Sequence, residues 1–580
     1  MKKMLRLSVA LVLILALLSS VAFAQMGMVT DGQGFSLFDE SGVMLRTNRS
    51  ATGSKGMVSA PKYEAAKIGI DILEAGGNAF DAAVAVGFAV GVVEPNSSGL
   101  GGGGFITCYD AKSGKTTFID FRERAPKHAS PAMWVVDEET GKVIGGSNGV
   151  GGLASGVPGD VAGFLYTLEK YGTMTREQVI RPAIDLASGG FVVTPTLGGD
   201  IKNNYDAMVA YPALGKVYLT PDGFPYEVGE TLVNKDICNT FEKIIAEGRD
   251  GFYKGPIAEA IVRDVNKYGG LFTMKDLEDY DVIIREPVKG TYRDYQVISS
   301  PLASSGGTII IEILNILENY DLSAMGDNSA DYIHMFSEAF KMAYADRAMY
   351  MGDPEYVDVP ITGLLSKDYA KKLAQKIDPA KAQTYTCDDP WLYEHEDTTH
   401  FSIVDKDGNM VACTKSVNGI FGSKVVVDGY GFVMNNTMAD FSTDPTSVNA
   451  VAGGKEPLSS MSPTIVMDPD GKPFAVLGSP GGTTIIAAVS QVISRMVDFG
   501  LSAEEAVNSP RFSDNTSAVI KYENLIDQAV IDKLVAMGHE VESSDAWNRS
   551  FGSVQAVKYE KDGTISGASD PRRDGKSIGY

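Results

Sequence analysis

The sequence Thr398-Thr399-His400 combines residue types that could perform acyl transfer if the chain were cut just before it. A polar, acidic stretch over residues 394–397 runs directly into an apolar strand pattern, so a hydroxyl stands at the leading edge of that strand. A cut after Asp397 would give Thr398 a free α-amine, with a pKa near ~7.7–8.0, beside its own Oγ. One residue would then supply both the nucleophile and the base. Two β-branched residues are also ordinary strand formers, so the pair alone does not decide the matter.

A glycine-rich turn provides a second element of the same chemistry. Gly478-Ser479-Pro480-Gly481-Gly482 follows an apolar strand pattern over 474–477 and precedes a helical run that begins at Thr483. Backbone N–H groups of glycines at the start of a helix point at anions and stabilise developing negative charge. This turn therefore has the right setting for an oxyanion hole, although a plain strand-to-helix turn has the same sequence.

Two other glycine-rich motifs lack the structural context that their chemistry needs. Residues 99–104 match the G-x-G-x-x-G spacing of dinucleotide sites, but they follow a helix pattern and precede a strand pattern, which reverses the required order. Residues 145–149 match the serine-hydrolase spacing, but no apolar strand precedes them and no helix follows. We interpret both motifs as structural loops.

Hydrophobic periodicity predicts helices early in the chain and hairpins late. Residues 62–75 carry apolar side chains at helical spacing and stop at Gly76-Gly77, and Asn78 caps a second helix over 79–93 that is apolar on all sides. Two hairpins follow, with strands over 401–404 and 410–414 and over 464–467 and 474–477. No linker, repeat or low-complexity run divides the chain, which favours one large α/β body.

The composition limits the class of protein and its partners. With 44% hydrophobic and 22% charged residues over 580 positions, the chain is a folded protein with a large core. Its formal charge of −23 disfavours nucleic acid and anionic membranes, so an anionic substrate would need cations supplied by the site itself. Residues 1–24 have a basic start, an apolar run over 11–18 and the sequence Ala-Phe-Ala at 22–24. They predict a signal peptide, hence a secreted or periplasmic protein without a membrane anchor.

Cysteine and histidine are too sparse to predict a metal or a disulfide scaffold. The four cysteines are few for a chain of this length, and the five histidines show no ligand spacing with each other or with the cysteines. We expect small buried thiols and neither a metal nor a cofactor. These residues are Cys108, Cys238, Cys387 and Cys413, and His128, His334, His395, His400 and His539.

From Thr398 to its end, the chain resembles the gamma-glutamyltransferase family of N-terminal-nucleophile hydrolases, whose small subunit begins Thr-Thr-His and continues through a similar hairpin. Several earlier motifs agree with the same family in order and spacing. They are Gly76-Gly77-Asn78-Ala79, Asp81-Ala82-Ala83, Glu94-Pro95 before Gly101-Gly102-Gly103-Gly104, Asp120-Phe121-Arg122-Glu123, Pro301 with Ser304-Ser305-Gly306-Gly307, and Ala345-Asp346-Arg347. The resemblance therefore covers nearly all of the chain beyond residue 24.

The resemblance implies an α+β fold, a four-layer αββα sandwich formed jointly by two chains cut from one precursor. Thr398 would attack the carbonyl of Asp397, and water would open the resulting ester. The products would be a large subunit, 25–397, and a small subunit, 398–580, in one heterodimer. Thr398 would then cleave γ-glutamyl amides such as glutathione through an acyl-enzyme and pass the acyl group to water or to an acceptor amine.

The resemblance also implies roles for individual positions. The catalytic set is Thr398, Thr414, Ser416, Gly481 and Gly482, and the substrate-binding set is Arg122, Asn418, Thr437, Asp440, Ser459 and Ser460. An amino-acid head group needs a cation for its carboxylate and an anion for its ammonium, which Arg122 and Asp440 would supply. Arg122 is also compatible with a structural ion pair to Asp120 or Glu123, and Asp440 with an exposed loop acid.

Three departures from the family pattern qualify these expectations. Ser416 stands where the family usually has threonine, which keeps the hydroxyl. Thr437 replaces the glutamine or glutamate of many members, so we expect weaker affinity for the α-amine. The segment 441–456 is shorter than in members with a tyrosine-bearing lid and contains no tyrosine, which predicts an open site that favours water or bulky acceptors.

Two rival functions remain open from the sequence. One is an acylase of the same superfamily that acts on a glutaryl-type amide or on poly-γ-glutamate, and Thr437 and the shortened segment favour it. The other is a binding protein that keeps the amino-acid pocket but never cleaves itself. A denaturing gel separates the second rival from the enzymes, and paired γ-glutamyl and glutaryl anilides separate the first.

Overall fold

The computed structural model describes residues 27–32, 34–137, 139–385, 397–514 and 519–580. The predicted signal peptide, Cys387 and His395 lie outside the described residues, and only the backbone of Asp397 is described.

The strands in the described part of the chain are β1 Ala51–Gly53, β2 Met57–Ala60, β3 Gly103–Asp110, β4 Lys115–Phe121, β5 Phe191–Val192, β6 Thr231–Leu232, β7 Ile283–Arg285, β8 Val288–Tyr292, β9 Tyr295–Ser299, β10 Asp397–Val404, β11 Met410–Asn418, β12 Thr464–Met467, β13 Pro473–Gly478, β14 Phe512–Ser513, β15 Val519–Glu523, β16 Glu540–Ser544, β17 Gln555–Tyr559, β18 Ile565–Ser569 and β19 Lys576–Gly579.

The α-helices are α1 Tyr63–Glu74, α2 Ala79–Val93, α3 Asp160–Tyr171, α4 Arg176–Gly189, α5 Pro195–Asn203, α6 Tyr205–Ala210, α7 Pro212–Tyr218, α8 Lys235–Glu247, α9 Asp250–Tyr253, α10 Gly255–Lys267, α11 Met274–Glu278, α12 Gly306–Leu317, α13 Leu322–Met325, α14 Ala330–Tyr350, α15 Ile361–Leu364, α16 Lys367–Ala374, α17 Thr484–Asp498, α18 Ala503–Asn508 and α19 Gln528–Ala536.

Two seven-stranded sheets form the centre of the fold. The first has the order β19-β2-β10-β11-β3-β4-β7, and the second has the order β1-β18-β17-β13-β12-β9-β8. Every neighbouring pair in both sheets is antiparallel. Apolar side chains from both sheets, including Val404, Met410, Ile465 and Val557, fill the space between them. The two sheets therefore pack face to face.

Helices cover the outer face of each sheet. Helix α2 begins with the predicted capping box, in which Asn78 and Asp81 each satisfy the other's backbone N–H, and all of its residues are buried. It packs against the first sheet, and helices α12, α14 and α17 pack against the second. This arrangement is the predicted four-layer αββα sandwich. The two predicted early helices and the two predicted hairpins are also confirmed.

Strands from distant parts of the chain alternate within each sheet. Strand β10 lies between β2 and β11, and β11 in turn pairs with β3. In the second sheet, β1 and β9 flank the block β18-β17-β13-β12. Neither the chain before β10 nor the chain after it can therefore complete a sheet alone. Within the described residues, every helix is too short or too polar to cross a bilayer.

Candidate active site

Thr398 lies at the start of β10, inside the protein. It is 1% exposed, and the pairing of β10 with β11 is irregular between Asp397 and Thr399. Such a bulge turns a side chain away from the regular alternation of a strand. The carbonyl oxygen of Thr398 accepts a hydrogen bond from Arg573 Nη1 at 2.9 Å. The backbone of the candidate nucleophile is thus held by the segment that precedes β19.

A buried carboxylate contacts both the next residue of this strand and Arg573. Glu94 Oε2 accepts a hydrogen bond from Thr399 Oγ1 at 2.5 Å, and Glu94 Oε1 lies 3.8 Å from Arg573 Nη1. Glu94 and Arg573 are 2% and 4% exposed. In the sequence, Glu94-Pro95 is part of a family motif with no evident role, and no motif marks Arg573. The structure brings both residues to the strand that carries Thr398.

His400 fixes the direction of a hydrogen-bond chain that ends at Thr414. Its Nε2 lies 3.0 Å from Ser402 Oγ, and that hydroxyl donates to the carbonyl of Gln555. Ser402 must therefore accept from Nε2–H. Burial lowers the pKa of His400 to about 3, so the ring is neutral and its Nδ1 accepts from Thr414 Oγ1 at 2.8 Å. Thr414 can then serve a neighbouring group only as an acceptor.

Ser416 and Asn418 lie at the far end of β11, beside the start of β10. Ser416 Oγ accepts a hydrogen bond from the backbone N–H of Asn418 at 2.7 Å, and Asn418 is paired with Asp397. Asn418 has a φ of +74°, which ends the strand. Glycines 101–104 let β3 approach this strand closely, since a Cβ on Gly102 would lie 2.0 Å from the carbonyl oxygen of Ser416. The glycine run therefore has a structural role.

Arg122, Asn418, Thr437 and Asp440 form one buried cluster. Arg122 Nη2 donates to Asp440 Oδ2, and Asn418 Nδ2 donates to Asp440 Oδ1 at 2.6 Å. Thr437 Oγ1 lies 3.5 Å from Asp440 Oδ2. Arg122 Nη1 also lies 3.4 Å from Glu123 Oε2, and Glu123 is one of the two structural ion-pair partners that the sequence left open. Asp440 is buried in a 3₁₀ turn, Thr437–Asp440, and is not an exposed acid.

The backbone of Arg122 is fixed on both sides. Its N–H donates to Asp120 Oδ1 at 3.0 Å, and its carbonyl accepts from the hydroxyl of Tyr280 at 2.9 Å. Arg285 on β7 then bridges Asp120 Oδ2 at 2.7 Å and Glu456 Oε2 at 3.1 Å. Burial raises the pKa of Glu456. Sequence reasoning missed Tyr280 and Arg285, because neither is close to Arg122 along the chain.

Ser459 and Ser460 are held by an arginine from α14. Arg347 Nη2 donates to Ser460 Oγ at 3.0 Å, and its Nε donates to Ser305 Oγ at 2.8 Å. Ser305 Oγ in turn donates to the carbonyl of Ser459 at 2.7 Å. Because a guanidinium only donates, Ser460 must accept from it, and its own proton points elsewhere. The motif Ala345-Asp346-Arg347 was the sequence signal for this contact.

The turn after β13 has the geometry that only glycine adopts easily. Gly481 and Gly482 have φ values of +128° and +58°, and α17 begins two residues later. A Cβ on Gly481 would lie 2.7 Å from Thr484 Oγ1. At the end of β13, a Cβ on Gly478 would lie 2.3 Å from the ring of His400. The start of β10 and the turn after β13 therefore lie at the same end of the sandwich.

The segment 441–456 is tied to its surroundings at several points. Thr443 Oγ1 donates to the carbonyl of Gly141 at 3.0 Å, and the N–H of Glu456 donates to Asp353 at 2.9 Å. The hydroxyl of Tyr356 donates to the carbonyl of Gly453 at 3.0 Å. A tyrosine thus contacts this segment from elsewhere in the chain, although the segment itself has none.

One group among the described residues combines histidine with a carboxylate. His334 Nδ1 lies 2.7 Å from His539 Nε2, and the two rings lie beside Glu338. Glu338 accepts from the hydroxyl of Tyr385 at 2.9 Å and from the ammonium of Lys341. The carboxylate already faces a cation, so the group is satisfied by protein partners. Cys108 and Cys413 are buried free thiols, and Cys238 is a half-buried one.

The fold and these clusters define the class of protein. Two packed antiparallel sheets between helical layers, with a threonine at the leading edge of a central strand, are the architecture of the N-terminal-nucleophile hydrolases. The family model described as Gamma-glutamyltranspeptidase matches residues 65–580. This chain belongs to the gamma-glutamyltranspeptidase family.

Individual relatives agree with this assignment. The chain is 43% identical to a glutathione hydrolase proenzyme of Escherichia coli (strain K12), covering 91% of this chain and 92% of the relative. It is 40% identical to a glutathione hydrolase proenzyme of Bacillus subtilis (strain 168), with the same coverage. Among solved structures, a cephalosporin acylase from Bacillus halodurans matches with a TM-score of 0.83 at 28% identity, covering 95% of this chain and 99% of that one.

Proposed function

We propose that this protein is a self-processing glutathione hydrolase and γ-glutamyltransferase. The observation that supports this most directly is the buried cluster of Arg122, Asn418 and Asp440, which adjoins the end of β11 opposite Asp397. A γ-glutamyl group ends in a carboxylate and an ammonium on one carbon. Arg122 and Asp440 match these two charges, and the relatives named glutathione hydrolase act on such a substrate.

Processing starts from the peptide bond between Asp397 and Thr398. Thr398 Oγ attacks the carbonyl carbon of Asp397, the C–N bond breaks, and the Thr398 nitrogen takes the hydroxyl proton. The ester that results is opened by water, which leaves a carboxylate on Asp397 and a free amine on Thr398. The alternation of strands from 25–397 and 398–580 in both sheets supports a heterodimer that stays together after the cut.

The free Thr398 performs acyl transfer in two steps. Its α-amine accepts the proton of Oγ as Oγ attacks the γ-carbonyl of the substrate, and the leaving amine departs with that proton. Gly481 and Gly482 supply backbone N–H groups to the oxyanion. Thr414, whose proton goes to His400, and Ser416 orient the nucleophile through their hydroxyl oxygens. Water or an acceptor amine then releases the γ-glutamyl group, with no metal or cofactor.

The head group of the substrate binds in the cluster of Arg122 and Asp440, beside the end of β11. Arg122 binds its carboxylate, to which Ser459 and Ser460 add hydroxyl groups. Asp440 binds its ammonium, with Asn418 and Thr437 at the edge of the pocket. The contact of Arg347 with Ser460 supports this assignment, because it leaves the Ser460 proton available for a carboxylate. Thr437 is shorter than glutamine or glutamate, so the ammonium is held less tightly.

Residues 1–24 direct the precursor out of the cytoplasm and are removed before Gln25. The mature protein is then a secreted or periplasmic heterodimer, and its partners are a small γ-glutamyl substrate and an acceptor amine or water. N-terminal sequencing of the large subunit tests this assignment directly.

Substitution of the nucleophile tests the mechanism. We expect the wild-type protein to give two bands on a denaturing gel, with a mass for the smaller chain that begins at Thr398. Thr398→Ala should give one uncut chain without activity, and Thr398→Ser should be cut more slowly, because serine retains the hydroxyl. Thr446→Ala, at an exposed threonine, is the matched control and should be cut normally. An active wild-type chain that is intact across 397 and 398 would refute the mechanism.

A second candidate function is that of an acylase for substrates without an α-amine. The structural match to a cephalosporin acylase and the presence of Thr437 favour it. Paired γ-glutamyl and glutaryl anilides decide between the two, since they differ only by the α-amine. We expect the γ-glutamyl compound to be turned over far faster, with at most trace turnover of the glutaryl compound. Equal or faster turnover of the glutaryl compound would establish the acylase instead.

A further inference from the structure

An arginine lies directly behind the Gly481 turn. Arg549 begins a short 3₁₀ turn, Arg549–Phe551. Thr484 Oγ1 contacts the carbonyl of Gly481 at 2.6 Å and the carbonyl of Ser550 at 2.8 Å, which joins this turn to the candidate oxyanion hole. Gly552 Cα lies 3.0 Å from the place where a Cβ on Gly481 would stand. The position of Arg549 is therefore tied to the proposed acyl-transfer site.

The guanidinium of Arg549 is oriented by a buried carboxylate. Nη2 lies 2.9 Å from Asp200 Oδ1, and Nη1 lies 3.1 Å from Asp200 Oδ2. The Asp200 side chain is 2% exposed, whereas that of Arg549 is 38% exposed. One edge of the guanidinium thus faces the protein, and the side chain as a whole reaches solvent. A planar fork that is oriented by one carboxylate and is 38% exposed can meet a carboxylate that arrives from solvent.

Asp200 also joins this arginine to the loop between α2 and β3. It accepts a hydrogen bond from Asn96 Nδ2 at 2.8 Å. The carbonyl of Asn96 accepts from the N–H of Phe421 at 2.8 Å, and the carbonyl of Ser97 accepts from the N–H of Val417 at 3.1 Å. Through Asn96 and Ser97, the ion pair is therefore connected to the end of β11, the strand that pairs with the start of β10.

A second cation interacts with the carboxylate of this ion pair. Lys424 Nζ donates to Asn204 Oδ1 at 3.0 Å and to the carbonyl of Ile420. Burial lowers the pKa of Lys424 to about 8, while the negative charge of Asp200 favours its charged form. Among the described residues, Arg549 and Lys424 are thus two cations near the Asp200 carboxylate. On a protein whose formal charge is −23, an anionic substrate group needs cations supplied by the site itself.

We propose that Arg549, oriented by Asp200, binds the carboxylate of the peptide that leaves or accepts the γ-glutamyl group. This inference rests on the proposed function. Arg122 and Asp440 take the glutamyl end of the substrate, so the peptide bonded to the γ-carbonyl extends to the other side of Thr398. The leaving peptide of glutathione ends in a free carboxylate, and a dipeptide acceptor has the same group. Arg549 is a binding residue for this end and takes no part in proton transfer.

The test compares two chromogenic substrates that differ by one carboxylate on the leaving group. They are γ-glutamyl-4-nitroanilide and γ-glutamyl-3-carboxy-4-nitroanilide. In Arg549→Ala, we expect KM for the carboxylated anilide to rise about 10-fold or more, as for loss of a charge-assisted hydrogen bond, while KM for the plain anilide stays unchanged. Arg549→Lys should keep part of the preference, because lysine keeps the charge but not the fork.

Two further variants separate binding from folding. Arg549→Ala leaves Asp200 without its arginine, so Arg549→Met combined with Asp200→Asn removes the ion pair as a unit and should show the same selective loss. Arg181→Ala is the matched control, since Arg181 makes a two-point pair with Glu242 on an exposed helix surface. It should leave both anilides unaffected. Normal two-band processing on a denaturing gel verifies the fold of every variant.

The outcomes distinguish this inference from the proposed function. A selective loss for the carboxylated anilide supports the assignment of Arg549. An equal change for both anilides, or no change for either, refutes it and leaves the proposed function standing. A correctly cut wild-type protein that turns over neither anilide refutes the proposed function and this inference with it.

Discussion

Arg122 and Asp440 are buried together, and each has a further polar partner. Arg122 also contacts Glu123, and Asp440 also accepts from Asn418. Burying two charges costs free energy that their attraction offsets only when the geometry is good. A zwitterionic head group can replace this pairing charge for charge. Its carboxylate would pair with Arg122 in place of Asp440, and its ammonium would pair with Asp440 in place of Arg122. We therefore propose that the pair is a template for an amino-acid head group.

Substitution of Asp440 tests this template at the level of a single residue. In Asp440→Asn, the ammonium of the substrate loses a charged partner, and a hydrogen bond to a charged group is worth about 1.5–3 kcal/mol. We expect kcat/KM for γ-glutamyl-4-nitroanilide to fall by about 10- to 150-fold. Steady-state kinetics of the processed enzyme measure the effect.

Two comparisons make the Asp440 result specific. The already low turnover of glutaryl-4-nitroanilide should not fall, because that substrate has no ammonium to lose. Asp444→Asn, an exposed aspartate in the same part of the chain, should leave both rates unchanged. An equal fall for the two anilides would show that Asp440 acts through the fold and not through the ammonium.

Single residues differ in how far the sequence predicts them. Local chemistry makes Thr398, Gly481 and Gly482 candidates, since a hydroxyl before a strand and glycines before a helix each fit a mechanism, but their roles are implied by the family resemblance. The partners of Asp120 and of the Arg122 carbonyl do not follow from local chemistry, because Arg285 and Tyr280 are more than a hundred residues away from them along the chain. Arg549 belongs to no motif that the sequence analysis recognised. Its position became visible only through its contacts with Asp200 and its place behind Gly481.

At the scale of elements, the turn between β13 and α17 has a conformation that a side chain would disturb. The φ of +128° at Gly481 lies in a region that other residues avoid, and Thr484 Oγ1 and Gly552 Cα occupy the space beside its missing Cβ. The turn is also joined to Ser550 through Thr484. Its N–H groups are therefore held in a fixed direction, as oxyanion stabilisation requires.

Gly481→Ala tests the role of this turn. We expect kcat for γ-glutamyl-4-nitroanilide to fall by about 100-fold or more, the size of effect seen when one oxyanion donor is lost. Gly471→Ala is a matched control at the other end of β13, because Gly471 also has a positive φ, +78°, but no atom within 4 Å of its Cβ position. It should lower stability by about 1–2 kcal/mol without changing kcat. Wild-type kcat in Gly481→Ala would exclude the turn as the oxyanion site.

Local patterns predict elements better than they predict how the elements pair. Helices α1 and α2 and the hairpins β10–β11 and β12–β13 follow from periodicity, caps and turns within one stretch of chain. The pairing of β10 with β2 and of β11 with β3 joins segments about three hundred residues apart, and nothing in either segment specifies its partner. The four-layer arrangement was expected from the family resemblance alone.

At the scale of the whole molecule, the space between the sheets and the candidate site share one buried hydrogen-bond chain. His400 on β10 joins Thr414 on β11 of the same sheet and, through Ser402, the carbonyl of Gln555 on β17 of the facing sheet. A neutral imidazole satisfies both of its neighbours, whereas an imidazolium would place a second donor against the Thr414 hydroxyl. Protonation of this ring is therefore linked to the packing of the two sheets.

This linkage predicts a pH dependence of folding stability. The pKa of His400 is lowered from 6.5 to about 3 by burial, so the unfolded chain binds a proton more readily than the folded protein. The contribution of His400 to stability is thus complete above pH 6.5 and is lost as the pH falls toward 3. One extra proton in the unfolded state gives a slope of about 1.4 kcal/mol per pH unit.

The slope is measured best in a protein that stays a single chain. In the Thr398→Ala background, urea unfolding at pH 6, 5 and 4 gives the free energy of unfolding. We expect His400→Gln to be less stable than its parent at pH 6. The slope of its free energy of unfolding against pH should be smaller by about 1.4 kcal/mol per pH unit. Asp160 and Asp514, whose pKa values burial raises to about 6 and about 7, contribute slopes of opposite sign that are present in both proteins and cancel in the comparison. His128→Gln, at an exposed histidine, should keep the parent slope. Identical slopes in His400→Gln and its parent would mean that His400 titrates in the folded protein as it does in the unfolded chain, and the neutral ring between the sheets would then have to be abandoned.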